Sequence, residues 1–334
     1  MKFKKVRWGI IGCGDVTEVK SGPAFQKNEN SELVAVMRRT AVLAKDYAER
    51  HHVPKWYDNA DDLINDPDVD AVYIATPPSS HKEYTIKVAQ AGKPVYVEKP
   101  MALNFDECNE MIAACKAAGV PLYVAYYRRA LPRFLKVKQL LDSKKIGDVR
   151  FVSTTQHQKA SDDVLDSSNL PWRVQAEIAG GGLFFDLASH TLDLLDFLLG
   201  PIEDVQGFAS NQAGYYRAED IVTGTYRFQS GVHGIGSWCF TAFEDVDVNE
   251  IVGSKGKITF STFGNEPVLL TTSSSKEQWS FEAPMHVHQP LIETMMADLT
   301  KDSTKCPSTG MTGARTSWVM DEIVKNRKYQ RPLA

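Results

Sequence analysis

Val6-Arg-Trp-Gly-Ile-Ile-Gly-Cys-Gly-Asp-Val-Thr17 is the stretch on which the fold turns. Val6 to Ile11 reads as a buried strand, and Gly12 and Gly14 follow it where a dinucleotide fold turns tightly into its first helix. Backbone amides over Gly12, Cys13, Gly14, Asp15 and Val16 can hold a pyrophosphate at such a turn. The third position of the Gly-x-Gly-x-x-Gly pattern is Thr17, and Ser21-Gly22-Pro23 interrupts the helix that should follow. A Gly-rich turn without a ligand is the plainer reading of the motif alone, so the strand context carries the weight.

Outward from this turn, apolar strands at Leu33–Met37, Ala71–Ala75, Val95–Val97 and Leu122–Ala125 alternate with helical stretches at Ala41–Arg50, Tyr84–Ala91 and Phe105–Ala118. That alternation predicts a doubly wound parallel sheet. From Val149 the texture becomes β-rich: Val149–His157, Asp204–Ser210, Ile221–Phe228, Val232–Phe240, Ile258–Phe263 and Val268–Thr272. A mostly antiparallel sheet is expected there, with the Asp186 helix and two late helices, Leu291–Thr300 and Gly313–Lys325, packed on it. The fold class is α/β, with domains expected at 1–125 (Rossmann, dinucleotide-binding) and 126–334 (α/β, with a large open sheet).

The 334 residues are 43% hydrophobic and carry a formal charge of -4. This balance gives no electrostatic reason to expect nucleic acid. No uncharged apolar run approaches the roughly 20 residues of a membrane span, and no signal-peptide core opens the chain. Five scattered cysteines without a Cys-x-x-Cys pair argue against a disulfide framework and fit a cytoplasmic location.

The end of the second strand, Met37-Arg38-Arg39-Thr40, lacks the carboxylate that an NAD-specific fold offers to the ribose 2'-hydroxyl. Arg38, Arg39 and Thr40 suit a 2'-phosphate instead, which favours NADP, with NAD as the alternative. The bland alternative is a pair of solvated loop charges. Thr76-Pro77 with His81, and Glu98-Lys99-Pro100, sit at the carboxyl ends of further strands, the edge where ligands bind in an open parallel sheet. A Lys before Pro is biased toward an extended or turn conformation, which frees the Lys99 side chain to reach across a crevice.

Gly180-Gly-Gly-Leu-Phe-Phe-Asp186-Leu-Ala-Ser-His190-Thr-Leu-Asp193 places three ionisable groups in an apolar run. On an ideal α-helix His190 lies about 40° from Asp186 and Asp193 about 20° to the other side, so all three share a face. A carboxylate beside an imidazole can fix its tautomer and prepare it for proton transfer. Asp186 and His190 at this spacing could also ligate a metal, but no third ligand is evident: His286-x-His288 would alternate and His51-His52 are adjacent. No metal is expected.

Taken together, Gly12-x-Gly14, Thr76-Pro77 with His81, Ala91-Gly-Lys-Pro94 leading to Glu98-Lys99-Pro100, Arg129-x-x-Pro132, and Gly180-Gly-Gly182 with Asp186, His190 and Asp193 resemble the Gfo/Idh/MocA family of pyridine-nucleotide oxidoreductases. The resemblance runs nearly end to end. It implies a Rossmann domain, then an α/β domain whose open sheet commonly serves oligomerisation, giving a homodimer or homotetramer. It implies hydride transfer at a sugar, cyclitol or related polyol. The family's catalytic Lys, Asp and His fall on Lys99, Asp186 and His190. His190 would move the proton of the reacting oxygen, Asp186 would orient the imidazole, and Lys99 would stabilise negative charge with Glu98 tuning it. Asp193 has no catalytic counterpart and is left to brace the fold. Tyr126, Arg129, His157, Trp172 and Arg173 lie in segments that the resemblance places near the substrate; Trp172 could cover a sugar's C–H surface and Arg173 hold its oxygens, or the two could be a core anchor and a surface ion. Two rivals stay open: a hydrolase of glycosidic bonds using tightly held NAD, and a non-catalytic metabolite sensor.

Overall fold

The computed structural model describes residues 3–166, 168–300 and 305–326. The final residues of the expected second domain, 327–334, lie outside the described set. The chain divides into two compact units, Met1–Leu131 with Pro284–Ala314, and Pro132–Ala283 with Arg315–Ala334. The single cut expected after residue 125 therefore misses a return of the chain to the first unit.

The first unit holds a six-stranded parallel sheet, β1 (Val6–Ile11), β2 (Ser31–Met37), β3 (Lys55–Tyr57), β4 (Ala71–Ile74), β5 (Val95–Val97) and β6 (Leu122–Val124), in the order β3-β2-β1-β4-β5-β6. The order reverses between β1 and β4, and a crevice opens at the carboxyl ends of strands flanking such a switch point. Strands buried on both faces read as continuous apolar runs, which is why β1, β4 and β5 were visible in sequence. The three-residue β3, with Lys-Trp-Tyr half exposed, was not.

One face of this sheet packs Trp8, Phe25, Tyr73 and Tyr96 against Leu291, Ile292, Met295, Met296 and Leu299 of the helix Gln289–Thr300. That helix was expected on the other sheet. Its apolar spacing announces a buried face without saying which sheet receives it; five buried side chains at roughly 1.5–3 kcal/mol each decide the matter here.

The second unit holds β7 (Val149–His157), β8 (Ile202–Ser210), β9 (Ile221–Phe228), β10 (His233–Cys239), β11 (Val246–Gly253), β12 (Gly256–Phe260), β13 (Val268–Thr272) and β14 (Lys276–Trp279), in the order β14-β13-β12-β11-β7-β10-β9-β8. Only β7 and β10 pair in parallel. The unexpected β11 is central because its inward residue Asn249 is satisfied, bonding Thr154 Oγ1 and Thr262 Oγ1 at 2.9 Å each. The late helix Gly310–Val324 does meet this sheet: Ile323 lies where Cβ atoms of Gly207 on β8 and Gly224 on β9 would stand.

Candidate active site

In the first unit the glycine turn follows from sterics. Gly12 has φ +89°, and a Cβ there would come 2.6 Å from Thr76 Cγ2. Its amide and that of Cys13 bond the Met37 carbonyl at 2.9 and 3.1 Å, so these two groups fasten the turn to β2 rather than face a ligand. Gly14 differs: a Cβ would meet nothing nearer than the Gly12 oxygen at 3.9 Å. The open space before Gly14, with the Asp15 and Val16 amides that lack intrahelical acceptors at this helix start, fits a dinucleotide's pyrophosphate. Within the turn, the residues left at that space are Gly14, Asp15 and Val16.

Thr17 takes a capping role where the motif has glycine: its Oγ1 accepts from the Gly14 amide at 2.9 Å and donates to the Gly14 carbonyl at 2.8 Å. Close approach moves on to Gly22, whose Cβ would stand 2.5 Å from the Tyr47 hydroxyl. The short helix Asp15–Val19 is tied down by Glu18, which Arg50 and His51 hold as a carboxylate with its pKa lowered to about 2. Arg38, Arg39 and Thr40 are exposed, and among the described residues neither guanidinium is engaged by an acceptor; Arg38 is close enough for its charge to act on Cys13 beneath the turn. Burial outweighs that charge and pushes the Cys13 thiol up to about 11.

Thr76 and Pro77 are half-buried beside the turn. His81, expected at the cofactor, is fully buried instead, with Nε2 2.7 Å from the Thr76 carbonyl and Nδ1 3.1 and 3.2 Å from those of Pro100 and Met101. It clamps the loop after β4 to the loop after β5. Burial lowers its pKa to about 4, against the opposing pull of these carbonyls.

Beside that clamp, Glu98 is buried and Lys99 half-buried, joined by a cis peptide to Pro100. Near Glu98 stand Tyr73 and His288, with Tyr96 and Tyr127 against His288; the sequence reading weighed only His288 among them, as a metal ligand. The alternate aromatics on β4 and β5 and the His-x-His pattern were their only signals.

In the second unit the glycine triplet is required for a different reason. Gly180 has φ +88° and ends a helical turn. Gly181 and Gly182 lie against Glu219: a Cβ on Gly182 would collide with its main-chain oxygen, and one on Gly181 with the Phe185 ring and, at 2.8 Å, with the Glu219 carboxylate. That carboxylate accepts the Gly182 amide at 2.8 Å. The chain then forms a π-helical turn, Phe184–Ala188, before the α-helix Ser189–Leu199. The wider turn changes the angular spacing around Asp186 from that of 3.6 residues per turn.

Asp186 and Asp193 accordingly take different partners. Asp186 Oδ2 lies 3.3 Å from Arg173 Nε, and the Arg173 guanidinium stands 4.6 Å over the Trp172 ring. Asp193 accepts from Thr316 at 3.4 Å, while Asp196 receives two 2.7 Å bonds from Arg315, so this end of the helix is a brace. His190 is buried, its ring edge-on to Phe263 at 5.7 Å, and the neighbouring Thr191 reaches Thr262 at 3.1 Å. The helix is thereby rooted in the sheet through Thr262, Asn249 and Thr154.

Of the five suggested substrate residues, Arg173 lies on Asp186, with Trp172 beneath its guanidinium. Tyr126 is fully buried in the core of the first unit. Arg129 is buried and donates to the Pro307 carbonyl at 3.1 Å, bracing the returning segment. His157 bonds Ser237 at 3.0 Å and shares the sheet face of Phe151, whereas Phe184 packs on Trp238 of the opposite face. Among the described residues no cluster of three or more His, Cys, Asp or Glu could hold a metal.

A parallel sheet with a phosphate-type turn at its switch point, in one chain with a buried carboxylate–imidazole segment on a second sheet, defines a pyridine-nucleotide oxidoreductase. The chain belongs to the Gfo/Idh/MocA family: residues 6–126 match its oxidoreductase model with the NAD-binding Rossmann fold, and residues 134–259 its C-terminal domain. Oxidoreductase P35 of Formosa agariphila is 43% identical over 90% of this chain and 94% of its own. The 1,5-anhydro-D-fructose reductase of Ensifer adhaerens is 30% identical over 75% of this chain and 74% of its own. The solved aldose-aldose oxidoreductase of Caulobacter crescentus, a glycerol complex, is 26% identical with a TM-score of 0.84, covering 96% of this chain and 97% of that one.

Proposed function

We propose that the protein transfers a hydride between NADP and a carbon of a sugar, cyclitol or related polyol. The observation that carries this reading is that Lys99, Asp186 and His190 are all retained in a chain of this family, each on a segment held by specific bonds. A bound NADP supplies or accepts the hydride. Asp15 and Val16 donate amides to its pyrophosphate, and Arg38 and Arg39 hold its 2'-phosphate with charge-assisted bonds. His190 gives or takes the proton of the reacting oxygen, and Lys99 stabilises negative charge developing there. Asp186 orients the imidazole. Arg173 sets a positive charge beside the carboxylate, and Trp172 offers an apolar face for sugar C–H groups.

A second copy of the chain covers the outer face of the second sheet, giving a dimer or tetramer. Phe151, Ile235, Val248 and Leu269 stand out on that face, with Phe208 80% exposed. Among the described residues no helix is long and apolar enough to cross a membrane, and a cytoplasmic place is part of the proposal. Fluorescence titration with NADP and NAD, followed by an absorbance panel of aldoses, ketoses, anhydrosugars and cyclitols including 1,5-anhydro-D-fructose, tests the reading. Tighter NADP binding with turnover of a panel member supports it. Preference for NAD sinks the arginine assignment, and release of sugar from aryl glycosides with no net nicotinamide change sinks hydride transfer as the outcome.

A further inference from the structure

Glu98 is a carboxylate in a dry place, and such a group persists only where donors and countercharge surround it. Tyr73, on β4, sets its hydroxyl 2.5 Å from Glu98 Oε1 and 3.1 Å from Ser21 Oγ; the single phenolic proton belongs to the charged acceptor. The other Glu98 oxygen accepts the Lys99 main-chain N–H at 3.2 Å. His288 approaches Oε1 to 3.8 Å, bonds the Tyr96 hydroxyl at 3.1 Å, and stacks on Tyr127 at 4.5 Å. Its main-chain N–H is anchored on the Lys20 carbonyl. Burial, reinforced by the charges of Lys20, Lys99 and Arg128, lowers the His288 pKa to about 3, so the imidazole is neutral and offers Glu98 no countercharge. Tyr73 supplies the directed bond from one side while His288 walls off the other. Ring packing alone does not call for the hydroxyl: Tyr73 stacks on Tyr96 at 4.8 Å and tilts against Phe25 at 5.6 Å, contacts that phenylalanine would keep.

We infer that Tyr73 is a positioning residue for Lys99, its hydroxyl pinning the Glu98 carboxylate beside the lysine, with His288 as the neutral wall of the same cradle. This rests on the reading of Lys99 as the charge-stabilising group. Without the phenolic donor the buried carboxylate is free to turn, and Lys99 loses a fixed negative neighbour.

Acetic anhydride labelling of Lys99 at pH 8, followed by mass spectrometry on the full chain, reads that change without any substrate. Glu98→Gln should speed Lys99 acetylation by about three- to tenfold, Tyr73→Phe should speed it by a smaller factor because it unpins the carboxylate without removing it, and the double variant should match Glu98→Gln alone. NADP affinity should stay within about twofold of wild type for Tyr73→Phe, which also reports an intact fold. Faster labelling in Glu98→Gln with none in Tyr73→Phe overturns the role of Tyr73; no change in either overturns the coupling of Glu98 to Lys99. Full sugar turnover in Lys99→Met would instead remove the underlying catalytic reading, a result independent of the labelling.

Discussion

Two glycine-rich turns, one in each unit, look alike in sequence and are made for different ends. Gly12 is required by a left-handed backbone and by Thr76 behind it, whereas Gly14 faces open space. Gly181 and Gly182 are required because Glu219 and Phe185 already fill the room a side chain would take. One turn leaves a space for a ligand; the other closes onto the protein to aim a π-helical turn.

The largest effect that sharpens this contrast lies in the second unit. His190→Ala should lower turnover roughly 100- to 10,000-fold while NADP affinity is retained, measured by steady-state kinetics beside a binding titration. Loss of NADP binding in that variant would break the division of labour. In the first unit, Arg38→Ala with Arg39→Ala should cut the preference for NADP over NAD by about 10- to 100-fold, the worth of one or two charge-assisted bonds, read as the ratio of the two kcat/KM values. An unchanged ratio would return both arginines to the solvent.

A paired substitution tests the glycines themselves. Gly182→Ala should destabilise the protein by about 1–3 kcal/mol in urea, the cost of overpacking. Gly14→Ala should leave the urea midpoint nearly unchanged and weaken NADP binding. Equal stability loss in both would erase the distinction.

The smallest effect concerns acid. His81 and His288 are neutral in the folded state, with pKa values lowered to about 4 and about 3, against about 6.5 in an unfolded chain. Lowered folded values mean that the unfolded state binds more protons as pH falls. Stability should therefore be full above pH about 6.5 and decline progressively toward pH 3, seen as a falling Tm. His288→Gln should flatten that decline; a slope unchanged from wild type would contradict it.

What the sequence disclosed follows the range of the interactions. The strand before Gly12 and the break at Ser21-Gly22-Pro23 are local, and both stand where they were read. The centre of the second sheet was hidden because Asn249, polar and buried, interrupts the apolar pattern of β11 and is explained only by Thr154 and Thr262, distant in sequence. The helix Gln289–Thr300 showed an apolar face but not its destination. Likewise the ideal-helix reckoning took no account of the π-helical turn at Asp186, which goes with Glu219 against the glycines and Phe184 on Trp238. His81 looked like a cofactor ligand from its position and proved to be a clamp, since nothing in the sequence reveals three carbonyls converging on one imidazole.

Transfer of deuterium from NADPH labelled at C4 of the nicotinamide tests the central claim most directly. With a sugar from the panel, such as 1,5-anhydro-D-fructose, the label should appear on the carbon of the new CH–OH group, at a rate that falls roughly 100-fold or more in His190→Ala. Product without the label, or labelling that is equally fast in His190→Ala, would contradict the account.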